Sequence, residues 1–592
     1  MITKSKVKIF FKSNIVIAIG INLFFLLLVL LFCDLKYEVS DDFVMAAILS
    51  GAYSNTQNPQ MIFVNVIIGY LLLPFYKLLP AVSWYFVLQL FLCFLSFVFV
   101  TYMLLEELDF FSAITLSILF ITFFSNDAYV LTQFTKTAML AIMAGAMLFL
   151  RALFRTKSKP GILLGAVLCL AGTLIRFSTA YIAGGFIVFI TIIEIFRYYK
   201  ANKNDKTFLK HMIGMASAGL ILVMFILGAK AWNWYTYNND ESYGYFYAYS
   251  SARARIVDYP DYGYEAYEDQ LDAIGISEND YYMIRSWNFA DNDVFSLEQM
   301  ERIADIVTSY HENKGINFEQ ILEQMQDRKF MAYPIFLACL IISIMSIWGN
   351  TKRWWTIFAA WIMGSGLLTY FYIRDRVLYR IEYTVFLGIF LTILYFWDRK
   401  TKIQLQNIPN MRAICVITSI IFCIIQTPMY LSDNSYKYVA SDERKIYLDE
   451  VFNASWNYDG RKYRKVVNKG LSSDNLMSEI EAHPDNFYFL DFNTTIQSLY
   501  YDWSPFSALP AGYYKNCLYL GGVTTNFPDV VSILKEKELE NPLKNLVNKN
   551  VYLVDNCNIE MELQYLREHY YPDVTAELYK EVEGYQIWKI IQ

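Results

Sequence analysis

The stretch Glu38-Val39-Ser40-Asp41-Asp42-Phe43 follows almost directly on an apolar run from Asn14 to Cys33. Adjacent carboxylates just past a run long enough to span a bilayer are costly if they enter the hydrocarbon. They read either as solvated loop acids or as groups set at a membrane surface for proton abstraction or cation binding. Lys4, Lys6, Lys8 and Lys12 precede the run. That pattern looks like the head of a signal peptide. The run is long, however, and Phe32-Cys33 offers no small residue for cleavage. A retained anchor with a cytoplasmic N-terminus is expected, which puts Asp41 and Asp42 outside.

The rest of the 592 residues extends this pattern. Hydrophobic residues make up 56% and charged residues only 18%, against about 25% charged in ordinary soluble domains. Mean hydropathy is +0.28. A polytopic α-helical membrane protein is expected, with no nucleic-acid partner. Of 8 cysteines, only Cys517 and Cys557 lie in a soluble stretch. They read as free thiols, with a disulfide open if that stretch is extracytoplasmic. The 4 histidines form no cluster and no zinc spacing occurs.

Met45 to Pro80 is not a simple span. Phe43 to Leu49 predicts a short amphipathic helix stopped by Gly51. Met61 to Leu79 is apolar but carries Asn65, Gly69, Pro74 and Lys77, so it reads as a span or an interfacial helix. Charge decides between them. With this segment on the outer surface, later spans place Arg151, Arg155, Lys157 and Lys159 inside. Arg197, Lys200, Lys203, Lys206 and Lys210 then also fall inside. Counted as a span, it would put the first of these clusters outside, against the positive-inside rule. About eleven spans result over residues 1–430, with surface helices at 43–80 and an acidic outer loop at 232–328. Within that loop Ser296 and Gln299 suggest a capped helix start.

From residue 431 to 592 the pattern changes to a soluble, extracytoplasmic α/β domain. Phe487 to Leu490, Cys517 to Leu520 and Val551 to Val554 read as buried strands. Leu476 to Ala482, Val530 to Glu536 and Glu560 to His569 read as helices. Leu578 to Ile590 reads as a hairpin turning at Glu583-Gly584. Asp491 and Asp555 end strands and read as caps or turn residues.

The order of an outward first span, an acidic motif at Asp41-Asp42 and a surface helix over Met61 to Leu79 resembles the GT-C superfamily of integral membrane glycosyltransferases. The likeness continues through Phe134-Thr135-Lys136-Thr137, ahead of an inward span, and covers roughly Asn14 to Arg197 by layout. It implies a polyprenyl-phosphate sugar donor and transfer to a glycan, lipid or protein acceptor on the extracytoplasmic face of the cell membrane. It also implies that Asp41 or Asp42 is the general base for the acceptor hydroxyl. A divalent metal at such acids occurs in part of the family, which would make Asp42 a ligand.

Candidate cations for the leaving phosphate lie where this topology needs them. Arg374, Arg376 and Arg380 crowd the outer end of a span, against the positive-inside trend, and arginine forks match phosphate oxygens. Pairing with nearby acids is the plain alternative. Arg176 and Lys136 face the same side, with snorkelling and interfacial anchoring as their plain readings. In the Tyr-rich loop, Arg253, Arg255 and Asp258 beside aromatic rings suit an acceptor or sugar, or mere interfacial anchoring. The competing functions are a transporter or flippase for lipid-linked sugars and a non-catalytic membrane scaffold. Transporters favour ionisable groups at the midplane.

Overall fold

The computed structural model describes residues 13–33, 35–258, 261–315, 318–319, 321–322, 325, 334–349, 354–374, 376, 378–397, 473–496 and 503–592. The span expected at 414–429, the basic residues from Arg399 to Arg412, Lys352-Arg353 and the first lysines lie outside the described residues.

Most of the described chain is helical. The helices are α1 (Asn14–Phe32), α2 (Ser40–Ser50), α3 (Val66–Leu78), α4 (Trp84–Glu107), α5 (Phe110–Ser125), α6 (Phe134–Arg151), α7 (Lys159–Ile175), α8 (Thr179–Asn202) and α9 (Phe208–Asn238). After them come α10 (Glu241–Val257), α11 (Glu278–Arg285), α12 (Leu297–Asn313), α13 (Pro334–Gly349), α14 (Trp354–Ile373) and α15 (Tyr379–Tyr395). Seven of the described helices are long and apolar enough to cross a membrane. At about 1.5 Å per residue, the 13 residues of α3 reach only about 20 Å. Pro74 lies inside it, and the side chain of Asn65 caps it by accepting from the Ile67 N–H.

The centre of the bundle is α6, which is buried along its whole length. Its tightest neighbour is α7. A methyl group added at Gly145 would sit 2.4 Å from the Cys169 nitrogen, and one added at Gly165 would sit 2.5 Å from the Phe149 nitrogen. Glycine thus lets the two backbones touch.

The bundle has two chemically distinct ends. At one, Arg151 meets Glu107 at 2.8 Å and Arg155 meets Glu194 at 2.8 Å, while Arg197 joins the same Glu194. The start of α1 reaches this end, where Asn14 donates to Glu106. At the other end lie the segment after α1, the starts of α4, α6 and α15, and the end of α7.

Helix α2 departs from expectation. It is stopped as foreseen by Gly51, at φ 85°, but it is buried from Asp42 to Ser50 rather than amphipathic. Helices α4 and α6 enclose its start, and residues 512–514 cover its end through Gly512 N–H to Gly51 O and Tyr514 N–H to Ala52 O. The stretch 126–133, between α5 and α6, is also buried. There β2 (Leu131–Thr132) pairs in parallel with β1 (Lys36–Tyr37). The loop over 232–328 is largely helical in α9 to α12. Ser296 accepts from the Gln299 N–H as expected, but the Gln299 side chain donates instead to Ile274 O.

The tail forms a five-stranded sheet in the order β4 (Cys517–Tyr519), β3 (Phe487–Leu490), β5 (Val551–Val554), β7 (Tyr585–Ile591) and β6 (Thr575–Val582). The first three strands are parallel and the last two form an antiparallel hairpin. Glu583 and Gly584 both adopt positive φ at its turn. Helices α16 (Ser473–Ala482), α17 (Pro528–Glu536) and α18 (Ile559–His569) fall close to the predicted positions. Cys517 and Cys557 are free thiols. The tail is docked rather than tethered. Asn58 donates to Asp529 at 3.0 Å, the Tyr53 and Tyr514 rings stack at 4.5 Å, and Asp291 accepts from Tyr565, Tyr570 and Asn541.

Candidate functional site

The two adjacent acids face different surroundings, because successive residues of a helix start point about 100° apart. Asp42 is fully buried. Its Oδ1 accepts from Tyr85 Oη and Gln89 Nε2, each at 2.9 Å, and its Oδ2 accepts from the Phe134 N–H at 3.3 Å. It therefore ties α2 to α4 and α6. Burial pushes its pKa up to about 7, against the pull of these hydrogen bonds. The donor set does not fit a metal: three hydrogens already point at the two oxygens. No group of three possible ligands among the described residues includes Asp42. The catalytic and metal roles expected for Asp42 are therefore withdrawn in favour of a positioning role.

Asp41 is partly exposed and faces cations. Burial raises its pKa, while Arg380, Arg176 and Arg253 pull it down and Asp258 pushes it up. These charges come from distant parts of the chain. Arg380 opens α15, Arg176 follows the last residue of α7, and Arg253 and Asp258 belong to α10 and its C-cap. Among the described residues, the side chains of Asp41, Arg176 and Arg380 make no hydrogen bond or ion pair. Aromatic faces carry the neighbouring cations instead. The Arg176 guanidinium lies 4.8 Å from the Phe134 ring centre and 5.3 Å from that of Phe63. Arg253 lies 5.0 Å from the Trp287 ring, with its buried Nε unpartnered. Asp258 joins Arg253 at 3.9 Å and Arg376 at 3.3 Å.

Three expected residues do not join this group. Lys136 is 1% exposed and sits between Glu38 and Asp127, the latter at 2.8 Å. Tyr379 donates to the same Asp127 at 2.9 Å. With its charge already matched by two carboxylates, Lys136 has none left for a phosphate. Arg255 turns to the opposite face of α10 and pairs with Asp305 at 2.6 Å. Arg374 is exposed on the rim, 6.0 Å from the Tyr370 ring of its own helix.

The Glu38–Lys136–Asp127 network was not foreseen, although its signal was present. Ionisable residues between apolar runs must find partners when buried, and both Lys136 and Asp127 lie between such runs. What the sequence lacked was the β1–β2 pairing that brings Glu38 to them. The hydroxyl of Tyr85 and the amide of Gln89 had no signal at all.

Fold and site together define a mostly helical chain with membrane-compatible apolar helices, an α/β tail and a cationic cluster around one acid at a single end of its bundle. Comparison with protein-family models, curated proteins and solved structures finds no match.

Proposed function

We propose that this chain is a cell-envelope glycosyltransferase of GT-C type. It moves a sugar from a polyprenyl-phosphate donor to an acceptor hydroxyl on the extracytoplasmic face. The observation that carries this reading is Asp41, an acid whose side chain has no bonding partner among the described residues and which feels the charge of arginines from three separate elements at one end of the bundle. In the proposed step Asp41 takes the acceptor hydroxyl proton while that oxygen attacks the anomeric carbon. The bond from that carbon to the phosphate oxygen breaks, and its electron pair stays on the phosphate. Arg380 and Arg176 stabilise the charge so gained. Arg253 and Asp258 bind sugar or acceptor hydroxyls beside the Trp287 ring.

The bilayer placement belongs to the same proposal. The end carrying Arg151, Arg155 and Arg197 is cytoplasmic by the positive-inside rule, so the Asp41 end is outside. Ten spans follow among the described residues when α7, α13 and α15 cross as short spans beside the seven long helices. A flippase is disfavoured because the charges gather at helix ends rather than mid-bundle.

The test is a paired substitution in the purified full-length protein, supplied with a panel of polyprenyl-phosphate sugars. Asp41→Asn should cut transfer about 100- to 10,000-fold with its melting midpoint unchanged. Asp42→Asn should lower the melting midpoint. Full activity in Asp41→Asn would sink the assignment of the base.

A further inference from the structure

One titratable pair joins the tail to the outer loop. His569 is the last residue of α18, and Asp280 lies in the first turn of α11, 289 residues earlier. His569 Nε2 donates to Asp280 Oδ1 at 2.7 Å. The Asp280 side chain is 1% exposed, whereas the imidazole is 22% exposed and can trade a proton with water.

The surroundings are acidic. The charged groups that bear on the ring are Asp280 from α11, Glu568 beside it on α18, and Asp291 from the loop after α11. The Tyr565 and Tyr570 rings flank it at 4.6 Å and 6.2 Å, and both hydroxyls donate to Asp291. Lys544 stands behind Tyr570, 5.1 Å from that ring. The hydrogen bond to Asp280 raises the His569 pKa above its ordinary value, against the pull of burial, and the charges of Asp280, Glu568 and Asp291 add to the rise. Ligand atoms of Asp280, Glu568 and His569 lie within 4.8 Å of one another, yet hydrogens already occupy both acids. Asp280 Oδ2 accepts from the Ser277 N–H in the capping box of α11. The two Glu568 oxygens accept from Ser277 Oγ and Gln564 Nε2. This geometry suits a proton on the imidazole, not a metal ion.

We propose that His569 and Asp280 form a pH-operated latch that clamps the start of α11 onto the end of α18. A charged hydrogen bond is about twice as strong as a neutral one. The latch is fully closed below the ordinary histidine value near 6.5 and weakens as pH rises through the higher folded value. Asn279 still donates to Met561 O at 3.0 Å when the imidazole is neutral, so the release is graded. The far end of α11 is held separately, where Asn493 donates to Ser286 O at 3.0 Å. Release at one end makes α11 a flap hinged next to Trp287, whose ring carries the Arg253 guanidinium. The latch stands apart from the transferase reading.

The test uses the full-length protein in detergent, with chelator present throughout. The 4 histidines are labelled with 13C and titrated by NMR, the His569 signal being the one lost in His569→Gln. Hydrogen exchange of residues 277–285 is followed by mass spectrometry across the same pH range, corrected for the intrinsic pH dependence of exchange. His569 should titrate above 6.5, and exchange should rise about fivefold as it loses its proton. His569→Gln, which keeps an N–H donor but cannot titrate, should remove that step. Asp280→Asn should bring the His569 titration down. A wild-type His569 that titrates at or below 6.5 would overturn the proposal. So would flat exchange in the wild-type protein, or a pH step that persists in His569→Gln. The wild-type measurements decide even if Asp280→Asn, which also alters the capping box, fails to fold.

Discussion

Replacing Lys136 by Met tests whether this side chain is part of the framework or a substrate cation. Its ammonium serves Glu38 and Asp127, and the side chains of all three are almost completely covered. Removing one partner of a buried ion pair costs about 3–5 kcal/mol, because a charge is left uncompensated. Here two carboxylates lose the same cation. Asp127 keeps the Tyr379 hydroxyl, whereas Glu38 has no hydrogen-bond partner besides Lys136 among the described residues. Burial already pushes the Glu38 pKa up against the pull of Lys136, so Glu38 will take up a proton and limit its share of the damage. The expected loss is therefore near the lower end, about 3 kcal/mol, read from unfolding followed by tryptophan fluorescence in detergent. The triple variant Glu38→Gln, Asp127→Asn, Lys136→Met should recover most of it, since no charge is then buried. A single variant that unfolds like wild type, within about 1 kcal/mol, yet no longer binds polyprenyl phosphate would refute this reasoning. Lys136 would then belong with the phosphate-binding arginines.

Three further outcomes are expected. Asp42 has a folded pKa near 7, above its unfolded value, so its protonated form favours the fold. Its contribution to stability should be fully present below about pH 4 and be lost as pH rises through 7, by at most about 4 kcal/mol. Asp42→Asn should flatten that part of a melting-versus-pH curve. Arg380→Ala removes a side chain that has no ion pair among the described residues, so it should weaken polyprenyl-phosphate binding at least about tenfold with little change in melting. A binding titration decides. Gly521→Ala puts a methyl 1.9 Å from the Trp287 carbonyl oxygen, so the tail should loosen from the loop by about 1–3 kcal/mol. Limited proteolysis would show earlier cleavage.

Local patterns were the most legible. The tail strands at 487–490 and 551–554 and the turn at Glu583-Gly584 could be placed because short β-rich runs bounded by turn residues have few other readings. The stop of α2 at Gly51 was legible for the same local reason. What failed was every judgement that depended on what covers a segment. Helix α2 looked amphipathic because residues 512–514, which bury its end, lie more than half the chain away. Charge placement put Asp41, Arg176 and Arg380 at one end, since ionisable residues at helix ends are rare enough to be informative, whereas Arg253 was marked only by the aromatic residues around it. It could not separate Asp41 from its neighbour, because that distinction rests on Tyr85, Gln89 and one backbone N–H. Nor could spacing show that Arg255 turns to Asp305 while Arg253, two residues earlier, turns inward.

The docking of the tail also sets an order of assembly. Asn58 and its partner Asp529 are 471 residues apart, and the Gly51–Gly512 and Ser83–Phe506 backbone bonds join equally early and late segments. During synthesis α2 and its flanking segments emerge long before the residues that seal them exist. Until the last stretch arrives, the underside of α2 stays open, so the nascent chain is an unfinished vessel that its own end must close. A chain ending before Phe506 would lack every late partner in these backbone bonds.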